Sequence, residues 1–440
     1  MAKIEEKIEK EKIKQVILQF VDITGKLHSL WVPAELFTKA SQEGIHIDGS
    51  SVHMVDISKS DLKLVPDLKT FVILPEGLFP LKTARVVCDI YQPDSNNPFE
   101  FDPRFVLKKT VQIAKKMLGN STGYFSSSEI EFFLLKRDEN GRLYLLDKGG
   151  YLDTPPTDLG AELRLEIIKN LESMNIIVEK HHHEVPPGKS EFNLKYSDAL
   201  NMADTIYLVK FIIKFLASKR GLIASFMPKP FHGQYGAGLH THLSLIDEEK
   251  RKNLFYAPTN DYGLSKLALS FIAGILKHAK ALTALTNPSV NSYKRLVPGW
   301  EAPVYISWAK YNRSVLVRVP PGRELKTRLE YRPTDGSCNF YLAFAGILAA
   351  GLDGIKNNLE VPEPVEEDIY KMSEAERESK GIGILPGSLG EALEEFSKDE
   401  YIKNILGEEF CKKYIELKTK EWKEFCVTVH EWEREKYLDV

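Results

Sequence analysis

Residues 126–135 read Ser-Ser-Ser-Glu-Ile-Glu-Phe-Phe-Leu-Leu, an apolar run that predicts a strand with Glu129 and Glu131 on one face. Two carboxylates held side by side repel each other. A chain that folds this way either leaves that face in solvent or sets a cation between the two groups, and hard cations such as Mg²⁺ or Mn²⁺ take oxygen ligands. The segment by itself leaves both outcomes open.

Three further segments carry groups of the same kind. Glu184 and Glu191 flank Val-Pro-Pro-Gly-Lys-Ser, directly after His181-His182-His183 and five residues beyond Glu179. The prolines and glycine impose a turn, which either folds both carboxylates towards one point or leaves a polar loop on the surface. Three adjacent histidines raise zinc, but alternation lets only two share a face and no cysteine lies nearby, so zinc is disfavoured. Gly233-Gln-Tyr235-Gly236-Ala-Gly238 runs into a predicted strand with His240, His242 and Ser244 on one face. It is not GxGxxG, and GxxxxGK[ST] occurs nowhere, so any nucleotide is held without a P-loop. The last segment holds Arg295 and Glu301, then Arg313 and Arg318, then Arg328, Glu330 and Arg332, of which the final three share a strand face. Such a row is either an inert surface ladder or a binding site for phosphate and carboxylate oxygens. Together the segments offer glutamates and a histidine for two cations with arginines around them, a pattern suited to phosphoryl transfer.

With 440 residues the chain is long enough for two domains. A hairpin over 14–32, a short helix over 33–43 and strands near 71–74 and 84–91 predict a small α+β unit. It ends in the Pro/Asn-rich stretch 92–103, so the expected domains are 1–103 and 104–440. Helical periodicity over 104–117, 161–174, 199–219, 265–285 and 341–357, with strands between, predicts a larger α+β domain. From Ser388 onward the pattern is amphipathic and helical almost to the terminus. Lys plus Arg (59) nearly balance Asp plus Glu (62) for a net charge of −3, with no basic block, which disfavours a nucleic-acid partner. The charged start does not read as a secretory leader, and no apolar stretch is long enough to span a bilayer. Cys88, Cys338, Cys411 and Cys426 lie far apart, which fits a reducing cytoplasm.

Several strings together resemble a type I glutamine synthetase, over nearly the whole chain: Ile47-Asp48-Gly-Ser-Ser51, Lys59-Ser-Asp-Leu with Val65-Pro-Asp67, Glu129-Ile-Glu131, His182-His183-Glu184-Val185, Asn287-Pro-Ser-Val-Asn-Ser-Tyr-Lys-Arg295-Leu-Val-Pro-Gly, Asn312-Arg313-Ser and Leu342-Ala-Phe-Ala. The resemblance implies an N-terminal β-grasp-like domain before the α+β catalytic domain. It also implies one Mg²⁺ or Mn²⁺ site from Glu131, Glu184 and Glu191, and a second from Glu129, His240 and Glu330. By the same likeness Arg295, Arg332, Tyr235 and Gly236 meet the amino acid, while Glu179, Tyr196, His242, Ser244, Arg318 and Arg328 meet ATP, with Arg313 beside the phosphate. Asp48, Glu184, Glu301 and Tyr151 match the ammonium site, with catalytic roles implied for Asp48, Glu301, Arg313 and Arg332. The implied reaction joins L-glutamate and ammonia through an acyl phosphate made from ATP. The implied assembly is a dodecamer of two hexameric rings, with Asp48 reaching a neighbouring active site and the C-terminal helix docking on the opposite ring.

The chain departs from the family pattern at Tyr235, where an asparagine is usual, and at Lys189, where a glutamine is common. These two positions favour either local repacking or a different acid substrate; a related ligase acting on a different acid or amine is the alternative reading, and a non-catalytic structural or sensing relative the third, against which stands the full set of metal ligands. The segment carrying the adenylylated tyrosine of longer forms is absent after Pro362, and Asp56 replaces an arginine used in glutamine sensing, so little feedback by glutamine and no adenylylation are expected.

Overall fold

The computed structural model describes residues 2–440 apart from Asp261 and Glu301. A six-stranded sheet forms first. Gln15–Val21 and Leu27–Pro33 make the expected hairpin, and Thr83–Tyr91 runs parallel to its first strand. Val16, Leu18 and Phe20 face the core of this unit, whereas Ile17 and Val21 face the larger core, so Gln15–Val21 is buried on both sides. Strands Ile45–Asp48 and Asp61–Pro66 extend the sheet and were not expected from the sequence; their alternation is carried by only two or three apolar residues each. The expected helix over 33–43 divides into a 3-10 turn, Ala34–Leu36, and a helix, Phe37–Glu43. Ala2–Lys10 adds a further helix.

The larger sheet has twelve strands among the described residues. Along its main path lie Tyr305–Ala309, Val315–Arg318, Leu329–Tyr331, Leu239–Asp247, Thr122–Arg137, Lys189–Leu194 and Val178–His183. All of these neighbours pair antiparallel except Tyr305–Ala309 with Val315–Arg318. The other side of the core is helical. Phe340–Lys356 is buried along nearly its whole length and packs against Lys266–Lys277. Glycines permit that approach: a Cβ on Gly354 would stand 1.9 Å from the Ser270 carbonyl oxygen, and one on Gly274 would stand 2.1 Å from that of Ala350.

Two helical expectations need correction. The single helix expected over 265–285 is two, Lys266–Lys277 and Ala279–Thr286, bent by 76°. No proline marks the break. His278 sits at the bend, with Nε2 2.9 Å from Asp353 and Nδ1 2.5 Å from Asp399, so tertiary bonds rather than local propensity turn the chain. The C-terminal helix likewise stops at Val427 and resumes over Glu431–Tyr437, after a Val-Thr-Val run that favours extended backbone. Among the described residues no single helix is long and apolar enough to cross a membrane.

Arg104, 3% exposed in its side chain, joins the two sheets' elements. It bonds Asp204 at 3.0 and 2.8 Å, Asp67 at 2.9 Å and Asp89 at 2.5 Å, while the Tyr341 hydroxyl donates to Asp204 at 2.6 Å. Asp102 caps the helix Pro103–Leu118 that carries Arg104.

Candidate active site

The register of the larger sheet assembles the site. Thr122–Arg137 places Glu129 opposite His240 on one neighbour, and Glu131 opposite Glu191 on the other. One strand further out, Glu330 stands opposite His242 and His182 opposite Glu191. Residues directly opposed in a sheet share a face, so these side chains converge. They line a cleft of about 700 Å³.

Two clusters adjoin in the cleft. In one, Glu129 meets His240 Nδ1 and His242 Nε2 at 3.1 Å each, and His240 lies 3.7 Å from Glu330. Glu330, 1% exposed, is bridged by both Arg318 and Arg332. In the other, His182 Nε2 lies 3.6 Å from Glu184 and 3.9 Å from Glu191. Lys189 Nζ lies 2.9 Å from Glu131, whose same oxygen accepts the Gly238 N–H at 2.7 Å. The six glutamate and histidine ligands expected from the resemblance all line this cleft. Two other histidines also come close: Glu129, His242 and Glu330 offer ligand atoms within 4.8 Å of one another, as do His182, Glu184 and Glu191.

Protonation follows from the surroundings. Burial pushes Glu129 upward, but the hydrogen bonds of His240 and His242 outweigh it and hold the carboxyl far below its ordinary range. Burial also opposes ionisation of Glu131 and Glu330, yet Lys189 in the first case and Arg332 in the second bring each to about 2. Glu191 behaves oppositely. Its burial, together with Glu131, Glu129 and Glu184 nearby, raises it to about 9. His182 Nδ1 is buried with no partner among the described residues. The oxygen-rich donors with imidazole suit Mg²⁺ or Mn²⁺.

A buried network fixes the loop that carries Glu184. His183 Nδ1 lies 2.7 Å from the Glu184 carbonyl and Nε2 3.1 Å from Asp147, which accepts the Gly188 N–H at 2.7 Å. Arg164 bonds Asp158 and Ser190. This grouping of Asp147, Asp158 and His183 is bound by an arginine and by backbone N–H groups, which makes it a brace rather than an ion site.

Arg295 is 4% exposed, and its guanidinium donates to the Pro333 carbonyl. The loop over 233–238 wraps around it: a Cβ on Gly238 would come within 2.5 Å of Arg295 Nη2, and one on Gly236 within 2.3 Å of the Pro228 carbonyl. Tyr151 meets His182 edge-on at 5.5 Å, and Tyr235 meets Trp300 edge-on at 5.8 Å. Arg313, Arg318, Arg328 and Arg332 also line the cleft, and Arg328 Nε donates to His242 Nδ1 at 3.2 Å.

Four expected site residues do not line the cleft of the single chain. Asp48 ends a strand of the small sheet, exposed, with Ser50 and Ser51 bonded to its carboxylate, which lies low at about 2. Glu179 is exposed beside the cleft, Tyr196 is 60% exposed against Phe125, and Ser244 lies on the face of His240 and His242. Glu301 lies outside the described residues. The sequence reading gave no role to His182, Lys180, Trp300, Asp368 or Tyr370, which do line the cleft. For His182 the alternation of Val178–His183 was a usable signal, since it sets His182 and not its neighbours against Glu191.

Residues 12–93 match the family described as glutamine synthetase, beta-Grasp domain, and residues 100–437 match glutamine synthetase, catalytic domain. The glutamine synthetase of Thermotoga maritima is 49% identical over 436 residues, 98% of each chain. Among solved structures, a GmaS/ADP complex superposes with a TM-score of 0.88 at 31% identity over all of both chains. The Plasmodium falciparum glutamine synthetase does so with 0.87 at 27% identity, over 99% of this chain and 98% of that one.

Proposed function

The chain belongs to the glutamine synthetase family of ATP-dependent ligases, and from that premise we propose how its own residues divide the work of joining L-glutamate and ammonia. Glu131, Glu184 and Glu191 would hold one divalent cation, and Glu129, His240 and Glu330 a second, with His182 and His242 close enough to each cluster to assist. Such ions screen the charge between an attacking carboxylate and the γ-phosphate of ATP. Arg295, buried under the 233–238 loop, binds the amino acid's carboxylate. Arg332 and Arg313 face the phosphoryl group, and Arg318 and Arg328 the remaining phosphates. Glu179, Tyr196, His242 and Ser244 meet the nucleotide.

The carboxylate attacks phosphorus, ADP leaves, and the resulting acyl phosphate has a leaving group that ammonia displaces; a free carboxylate oxygen is too poor a leaving group for direct amide formation. Ammonium must lose a proton first. Glu184, Asp48, Glu301 and Tyr151 surround that step, with Asp48 supplied by an adjacent subunit of a dodecamer. Asp48 does not line the cleft of its own chain, which supports that assignment. Buried, unpaired Cys88, Cys338 and Cys411 support a reducing cytoplasm as the setting.

The observation that carries this reading is the convergence of two carboxylate–imidazole clusters and five arginines on one cleft. Its test is phosphate release from ATP with ammonia and a panel of carboxylic acids. Turnover with glutamate above all others is expected, and turnover with another acid but not glutamate would refute the assignment of substrate. That second reading, a ligase for a related acid, is favoured by Tyr235 and Lys189 standing in the pocket wall.

A further inference from the structure

Lys189 is 5% exposed and stands in the wall of the cleft, with its ammonium turned towards the carboxylates there. It lies 2.9 Å from Glu131 Oε2, 3.1 Å from the Gly236 carbonyl and 3.8 Å from Glu184 Oε2. It donates to the first two, and the Glu184 carboxylate adds a charge contact without a hydrogen bond. Glu131 Oε2 also accepts the Gly238 N–H at 2.7 Å, so two donors occupy that one oxygen. Among the described residues no donor reaches Glu131 Oε1.

We propose that Lys189 is a built-in cation of the Glu131–Glu184–Glu191 cluster, which confines Glu131 to a single oxygen for a divalent ion and lowers the cluster's affinity for that ion. The inference rests on the two-cation reading above. As ligands of an ion, with the proton of Glu191 displaced, the three carboxylates would carry −3, and the ammonium reduces it by one at contact distance. A divalent ion entering the same cluster meets that positive charge directly, in a buried site where screening is weak. Glu131 cannot turn to offer both oxygens without breaking its bonds to Lys189 and Gly238. Because Lys189 also holds the Gly236 carbonyl, the same side chain ties the cluster to the loop that carries Tyr235.

Mn²⁺ titration of the full-length assembled protein, with free ion read from its electron paramagnetic resonance signal, tests this without turnover. Two classes of bound ion are expected: Glu184→Gln should remove one and Glu330→Gln the other. Lys189→Gln and Lys189→Met should each tighten the class lost in Glu184→Gln by about tenfold or more and leave the other unchanged. Melting and sedimentation of both variants establish that they fold and assemble. Unchanged or weaker binding in both folded variants overturns the inference. So does tightening by the glutamine variant alone, which would make its amide oxygen an added ligand. Mn²⁺ uptake that neither Glu184→Gln nor Glu330→Gln reduces would instead overturn the two-cation reading itself.

Discussion

Glu191→Gln should stabilise the protein when divalent ions are removed, although it deletes a proposed ligand. In the folded chain Glu191 is raised from 4.5 to about 9 by burial and by Glu131, Glu129 and Glu184. An unfolded chain ionises the same carboxyl freely. The folded state therefore binds the proton more tightly, and stability falls as pH rises from the unfolded value towards 9. At a pH of about 7.5 the difference spans roughly three pH units above the unfolded value, or about 4 kcal/mol at 1.36 kcal/mol per unit. Relaxation of the cluster and water entry reduce this, so about 2 kcal/mol is a reasonable expectation. Glutamine keeps the volume and carries no charge, so it escapes the cost. Thermal melting in EDTA and then with millimolar Mn²⁺ is the assay, on wild type and variant together. The variant should melt higher than wild type in EDTA and gain less on adding Mn²⁺, whereas wild type should gain strongly because the ion displaces the proton. A variant that melts lower in EDTA, or responds to Mn²⁺ as wild type does, would refute the reasoning.

Arg104→Met should destabilise by about 3–5 kcal/mol, because Asp204 would stay buried without its guanidinium; denaturant unfolding checks this, and a loss below about 1 kcal/mol would contradict it. His278 is raised, since its bonds to Asp399 and Asp353 outweigh burial, so its contribution is fully present below 6.5 and fades as pH rises through its folded value. The melting gap between wild type and His278→Gln should accordingly narrow from pH ~6 to pH ~9. Val429, Trp432, Leu438 and Val440 are exposed in the single chain, so on the proposed dodecamer removing residues 428–440 should yield hexamers by sedimentation, and an unchanged assembly would contradict that docking role.

Much of the site was legible because it is built on strands. Period-two alternation alone put Glu129 with Glu131, His240 with His242, and Arg328 with Glu330 and Arg332; all seven line the cleft, although the last strand is only Leu329–Tyr331 and the two arginines flank it. The turn between Glu184 and Glu191 was ambiguous for a physical reason. What folds it towards Glu131 is a hydrogen-bond brace from Asp147, Asp158 and Arg164, residues 20–37 positions before Glu184 and silent in local pattern. The bend at His278 leaves no local mark either, since its cause lies at Asp353 and Asp399 while the apolar periodicity runs straight through it. Lys189 was visible as an odd residue beside a ligand, but only the register of Lys189–Leu194 against Thr122–Arg137 shows its ammonium on Glu131.

The claim on which the account turns is that the cleft activates a carboxylate by moving the γ-phosphoryl group onto it. Glutamate labelled with ¹⁸O in its side-chain carboxylate, incubated with ATP, ammonia and Mg²⁺, reports this directly. One labelled oxygen should appear in each phosphate released, and phosphate carrying none while glutamine accumulates would contradict the account.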